Sequence, residues 1–230
     1  MDFTVILLVI VLIVILYLFY VYFIASTSKL VSSAYLMLSS TGVLIKDSPT
    51  VTNFSIGLWI FYNSWNTGNA KPIFTLANTN SLNSPFLTLS LADTAPVLTT
   101  KFQLFDGLNA PTSPVEIAIT RNFPVQKWVY VIISVSNNVV DCYLDGRLIT
   151  SYQLRTDQTM GLTNAPTLTM QLGSGIDAYV YNFVRYTYAM DPQTAQSTYY
   201  YGAPSMNTSS YNVSLELTKD GSEWKTYSLF

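Results

Sequence analysis

The chain has 230 residues, with 11 Lys plus Arg against 13 Asp plus Glu, a net charge of −2, no His and one Cys. Charged residues make up 10% of it, against roughly a quarter in ordinary globular proteins. The lack of a basic cluster argues against nucleic acid as a partner. The missing imidazole excludes His-based triads and His-ligated metals, and a lone Cys142 excludes an intrachain disulfide.

Between Asp2 and Lys29 no residue is charged, and residues 5–25 are nearly all Val, Ile, Leu and Phe. At about 1.5 Å per residue this run makes a helix of about 31 Å, close to a hydrocarbon core of about 30 Å. Residues 1–28 are therefore expected to form a single transmembrane helix. Val5, Leu12 and Leu16 would face lipid, and Tyr17, Tyr20 and Tyr22 would sit at the headgroup level. A cleaved signal peptide is the rival reading, since Ala25, Ser26, Thr27 and Ser28 are small. Asp2 in place of a basic leader, and the length of the apolar run, favour an uncleaved anchor. Lys29 and Lys46 beyond the span lean towards a cytosolic carboxyl-terminal domain. The sequons at Asn53, Asn207 and Asn212 are no more frequent than chance allows.

The residues after the anchor suffice for one large β domain. Short alternating segments recur between turn signals, the pattern of half-buried strands. Phe54, Ile56, Leu58 and Ile60 alternate with Ser55, Gly57, Trp59 and Phe61. Leu87, Leu89 and Leu91 make a second face, Val115, Ile117 and Ile119 a third, and Leu168, Met170 and Leu172 a fourth. Residues 128–135 are apolar on both faces, which predicts a central strand; Asn137 and Asn138 then turn into 139–144, where Cys142 reads as a small buried hydrophobe. One helix is expected outside the anchor, capped by Asp191, started by Pro192 and ending near Gly202. A linker follows, and then a hairpin around Asp220 and Gly221. The expected organisation is an anchor over 1–28, a sandwich over 29–202, and a linker with hairpin over 203–230.

The order of motifs over 53–202 resembles the concanavalin A-like sandwiches of the laminin G and pentraxin type. The opening strand Phe54-Ser-Ile-Gly-Leu-Trp59 is followed by Lys71-Pro-Ile-Phe-Thr-Leu. Next come Trp128-Val-Tyr-Val and Cys142-Tyr-Leu-Asp145-Gly146, then Leu168-Thr-Met-Gln-Leu-Gly173 and the terminal helix. The resemblance implies an all-β antiparallel jelly-roll sandwich, with Trp128 and its aliphatic neighbours filling the space between two sheets and Asp145-Gly146 reversing the chain.

Function does not follow from such a fold. Glycoside hydrolysis needs two positioned carboxylates, and the Glu residues, Glu116, Glu216 and Glu223, form no such strand motif. Asp106, Asp177 and Asn109 are spaced unlike a calcium cage. No enzyme activity, cofactor or metal is expected. Two readings stand. One is a structural tether joining a membrane to a protein layer, resembling the membrane-anchored minor capsid proteins of large icosahedral DNA viruses, with lipid and capsid-like proteins as partners and a virion membrane as location. The other is a displayed glycan-binding or adhesion module, in which Trp65 would stack on a sugar. Tyr199, Tyr200 and Tyr201 are further candidate contacts, and successive helical positions, about 100° apart, would send some of these rings inward and at least one outward.

Overall fold

The computed structural model describes residues 3–19, 27–38, 42–45, 53–64, 71–79, 85–106, 111–154, 158–160, 168–204, 214–219 and 222–228. In chain order the elements are α1 (Phe3–Phe19), β1 (Thr27–Tyr35), β2 (Gly42–Ile45), β3 (Asn53–Tyr62), β4 (Lys71–Asn78) and β5 (Leu87–Leu91). Then come β6 (Leu98–Phe102), β7 (Leu104–Asp106), β8 (Val115–Thr120), β9 (Trp128–Ser136), β10 (Val139–Leu144) and β11 (Arg147–Gln153). The chain closes with β12 (Gln158–Met160), β13 (Leu168–Leu172), β14 (Ala178–Tyr186), α2 (Pro192–Gly202), β15 (Ser214–Lys219) and β16 (Ser222–Ser228).

Two six-stranded antiparallel sheets carry the fold. The first runs β1-β14-β3-β9-β10-β11 and the second β2-β13-β4-β5-β6-β8. The pairs β7–β12 and β15–β16 form small separate ladders. Strand β9 lies between β3 and β10, as its two apolar faces predict. The inner parities of both sheets meet in one core: Phe54, Ile56, Leu58 and Ile60 from β3, Val131 and Ile133 from β9, Leu87 and Leu89 from β5, and Leu168 and Met170 from β13. Each such side chain contributes about 1.5–3 kcal/mol on burial, so the alternation read in the sequence is the fold's main energetic signal. Cys142 is fully buried in this core, and burial pushes its thiol up to about 12.

Strands β10 and β11 are joined at Asp145 (φ 48°) and Gly146 (φ 75°). Two consecutive left-handed residues make the tight hairpin turn whose twist matches the strands. A Cβ on Gly146 would come within 3.0 Å of the Gln196 Cα and 3.1 Å of the Tyr199 Cβ, so α2 rests directly on this turn. The Asp191 carboxylate caps α2, with Oδ1 accepting from the backbone N–H of Gln193 at 2.9 Å and of Thr194 at 3.0 Å. The connection into α2 is strapped to the outer face of the first sheet. There the Ser134 hydroxyl receives the Met190 N–H at 2.8 Å, and the Tyr143 hydroxyl donates to the Met190 carbonyl at 3.1 Å.

Three expectations change. Among the described residues no helix is long and apolar enough to cross a membrane. The 17 residues of α1 measure about 25 Å, short of the roughly 30 Å core. Val5, Leu12, Leu16 and Tyr17 are exposed along α1, while Tyr20 and Tyr22 lie outside the described residues. The single-pass membrane location, with its virion membrane and cytosolic domain, is therefore withdrawn, and the tether reading loses the anchor it rested on. Second, β1 begins at Thr27, inside the stretch assigned to the anchor, and pairs with β14 along the edge of the first sheet. Third, Trp128 does not fill the space between the sheets. It takes the parity opposite to Val129 and Val131, which line the core, and packs on the outer face.

Candidate functional site

The outer face of the first sheet carries aromatic residues in pairs. Trp59 and Phe61 lie on β3, Trp128 and Tyr130 on β9, and Tyr179 and Tyr181 on β14, with Tyr35 on β1. Each pair is spaced by two, so both rings leave the same side of their strand. Pairing then aligns them across four strands: Tyr35 opposes Tyr179, Tyr179 opposes Phe61, and Phe61 opposes Trp128. Ring centroids are 4.6 Å apart for Tyr35 and Tyr179, 6.4 Å for Phe61 and Tyr179, and 5.5 Å for Phe61 and Trp128.

A second rung runs Tyr181, Trp59, Tyr130. Trp59 is stacked between Tyr130 at 4.9 Å and Tyr199 of α2 at 5.4 Å. Helix α2 thus covers the second rung, burying Trp59 and Tyr130, and leaves the first rung half-buried, with Tyr179 42% exposed. Two backbone features keep the parities aligned. Gly57 leaves room for the Tyr130 hydroxyl, into which any Cβ there would run. On β14 the register shifts between Tyr181 and Val184, where Asn182 has φ 48°. This bulge lets Tyr179, Tyr181, Val184 and Tyr186 all face outward while Phe183 enters the core.

Polar groups edge the first rung. At the Tyr35 end, Asp177 accepts hydrogen bonds from the Tyr35 hydroxyl at 3.0 Å, from Asn63 Nδ2 at 3.0 Å and from the Ser64 hydroxyl. The Ser64 bond first, then those of Tyr35 and Asn63, hold its carboxyl below the usual carboxylate range. In return, the bond it gives Asp177 raises the Tyr35 phenol. Among the described residues, three donors occupy three of the carboxylate's roughly four lone-pair directions. At the Trp128 end, Lys127 Nζ lies 3.2 Å from the Asp145 carboxylate, which also accepts the Tyr130 N–H at 2.9 Å.

Of the residues singled out from sequence, Tyr199 packs on Trp59, whereas Tyr200 and Tyr201 are 67% and 93% exposed on α2. Trp65 lies outside the described residues, directly after Ser64. Sequence reading missed the first rung. Its signal was the repeated aromatic-x-aromatic pattern Trp59-Ile-Phe61, Trp128-Val-Tyr130 and Tyr179-Val-Tyr181. Among the described residues no group of three or more His, Cys, Asp or Glu is placed to hold a metal.

A two-sheet jelly roll with an aromatic strip on one outer face is a lectin-like sandwich. Residues 33–196 match the concanavalin A-like lectin/glucanases superfamily in its laminin G form, and the chain belongs to that family. The match opens about 20 residues before the resemblance over 53–202, because it includes part of β1 and all of β2. No curated protein sequence matches the chain. Among solved structures, it is similar to the botulinum neurotoxin serotype D binding domain, at 15% identity and TM-score 0.55, over 74% of this chain and 42% of that one. A serotype D ligand-binding domain in complex with N-acetylneuraminic acid gives 15% identity, TM-score 0.54, and coverage of 75% and 43%. The binding domain of Paraclostridial Mosquitocidal Protein 1 gives 13%, 0.50, 75% and 46%. The chain therefore spans less than half the length of these neighbours, and at such identity they share its fold alone.

Proposed function

We propose that this protein is a non-catalytic carbohydrate-binding module whose contact surface is the Tyr35–Tyr179–Phe61–Trp128 rung. The observation that carries the reading is the in-register row of four half-buried aromatic rings edged by a carboxylate, an amide and hydroxyls. Sugars present apolar C–H patches bordered by hydroxyls, and a strip of rings with convergent polar groups complements both. Membership of the concanavalin A-like lectin/glucanases superfamily supports a carbohydrate ligand. Asp177, beside the rung, is unsuited to be a glycosidase acid, which needs a raised pKa, because the hydrogen bonds it accepts hold it low.

The test is a glycan array probed with the full chain and with Tyr179→Ala. Tyr179 is substantially exposed, so its loss leaves the fold intact, and binding should weaken about tenfold, or about 1.4 kcal/mol. Array binding unchanged by the substitution would place the sugar site elsewhere, and a blank array would remove the reading.

A further inference from the structure

The charges around the first rung select among sugars. Resting on the carbohydrate reading above, we infer that the ligand is an uncharged oligosaccharide lying across the strands, and that acidic sugars are rejected. The rung crosses three strand intervals of about 4.8 Å, roughly 14 Å in all, which accommodates about three pyranose units. An occupant of that length reaches both ends of the rung, so the charge at each end is felt.

At the Tyr35 end stands Asp177, kept ionised by the hydrogen bonds from Ser64, Tyr35 and Asn63. At the Trp128 end the adjoining cation is Lys127, whose ammonium is engaged by Asp145 at 3.2 Å. The pair cancels, leaving Asp177 as the net charge of the strip among the described residues. Other cations on this sheet are distant. Lys29 shares the outer parity of β1 but lies about 20 Å along it from Tyr35, and Arg147 on β11 stands two strands from Trp128, about 10 Å or more. Both separations reach or exceed a Debye length of about 8 Å at physiological salt. Arg185 is buried within the sandwich. Recognition of a sugar carboxylate or sulfate calls for a forked guanidinium or clustered ammonium groups, and this strip offers a carboxylate instead. The Asp177 carboxylate is an acceptor and suits a sugar hydroxyl, which donates; a sugar carboxylate has no proton to give.

The experiment titrates the full chain by calorimetry with cellotetraose, which is uncharged, and with tetragalacturonate, which is acidic and of comparable length, at low and high salt. The uncharged oligomer should bind at least about fivefold more tightly at low salt, the factor expected for like charges about 4 Å apart in water. The gap should narrow at about 0.5 M salt, because screening acts on the repulsion alone. In Asp177→Asn the acidic oligomer should gain and the preference should shrink. Equal or tighter binding of the acidic oligomer by the wild type would overturn this inference while leaving the aromatic strip as a sugar site. Failure of both oligomers, together with a blank glycan array, would overturn the carbohydrate reading itself.

Discussion

Thr100 offers a quantitative check on the packing. It is fully buried on β6, where it opposes Leu89 of β5 on one side and Ile117 of β8 on the other, both core residues. Its hydroxyl has no hydrogen-bond partner among the described residues. A buried hydroxyl left unpaired costs about 1–3 kcal/mol. Val reproduces the branched shape, replaces the hydroxyl by a methyl, and is at least as suited to a strand. Thr100→Val should therefore stabilise the fold by about 1–2 kcal/mol, raising the melting midpoint by about 2–4 °C for each kcal/mol in a chain of this size. Urea unfolding measures it, with an unchanged slope showing that only stability has moved. The companion Thr100→Ser keeps the hydroxyl and deletes a buried methyl, and should cost about 1 kcal/mol. A destabilised Thr100→Val would refute the reasoning, since it would mean that the hydroxyl is bonded in the folded protein.

Other outcomes follow from the same geometry. A Cβ on Gly173 would overlap the Pro72 carbonyl, and because backbone cannot step aside, Gly173→Ala should lose about 3 kcal/mol in the same urea assay. Asp191→Ala removes the cap of α2 and should cost about 1 kcal/mol at neutral pH. The folded Asp191 carboxyl titrates below its usual range, chiefly through its bonds to Thr194. The stability it adds is therefore present above the unfolded value of about 3.9 and lost as pH falls through the lower folded value. Wild type and Asp191→Ala should thus converge in stability below about pH 3.9. Cys142, with its thiol pushed up to about 12 by burial, should resist thiol reagents at mildly alkaline pH until the protein unfolds; rapid labelling of the native chain would contradict its place in the core.

The sandwich could be read from strands whose inner parity is strictly apolar, because burial on one face writes a period of two into β3, β5, β8 and β13. The caps and turns were equally readable, since Asp191 with Pro192 and Asp145 with Gly146 have local chemistry that permits few alternatives. Strand β11 left no such trace. It is a sheet edge exposed on nearly every residue, so nothing selects an alternation. The opening segment misled for a different reason: apolar composition alone signals a span, but the described helix, Phe3–Phe19, is shorter than a bilayer needs. Trp128 was assigned to the wrong face because β9 is apolar on both, and only its pairing with Phe61 decides the parity. The aromatic rung joins residues as far apart as Tyr35 and Tyr179, so it exists only once the strand order is known.

The most direct test of the sugar-binding account follows the indole N–H signal of Trp128 in solution while the best glycan from the array is titrated in. The account predicts that this signal moves in a saturable way, and that in Tyr179→Ala the movement needs about tenfold more glycan while the rest of the spectrum stays native. A glycan that binds with the Trp128 signal unmoved would contradict it.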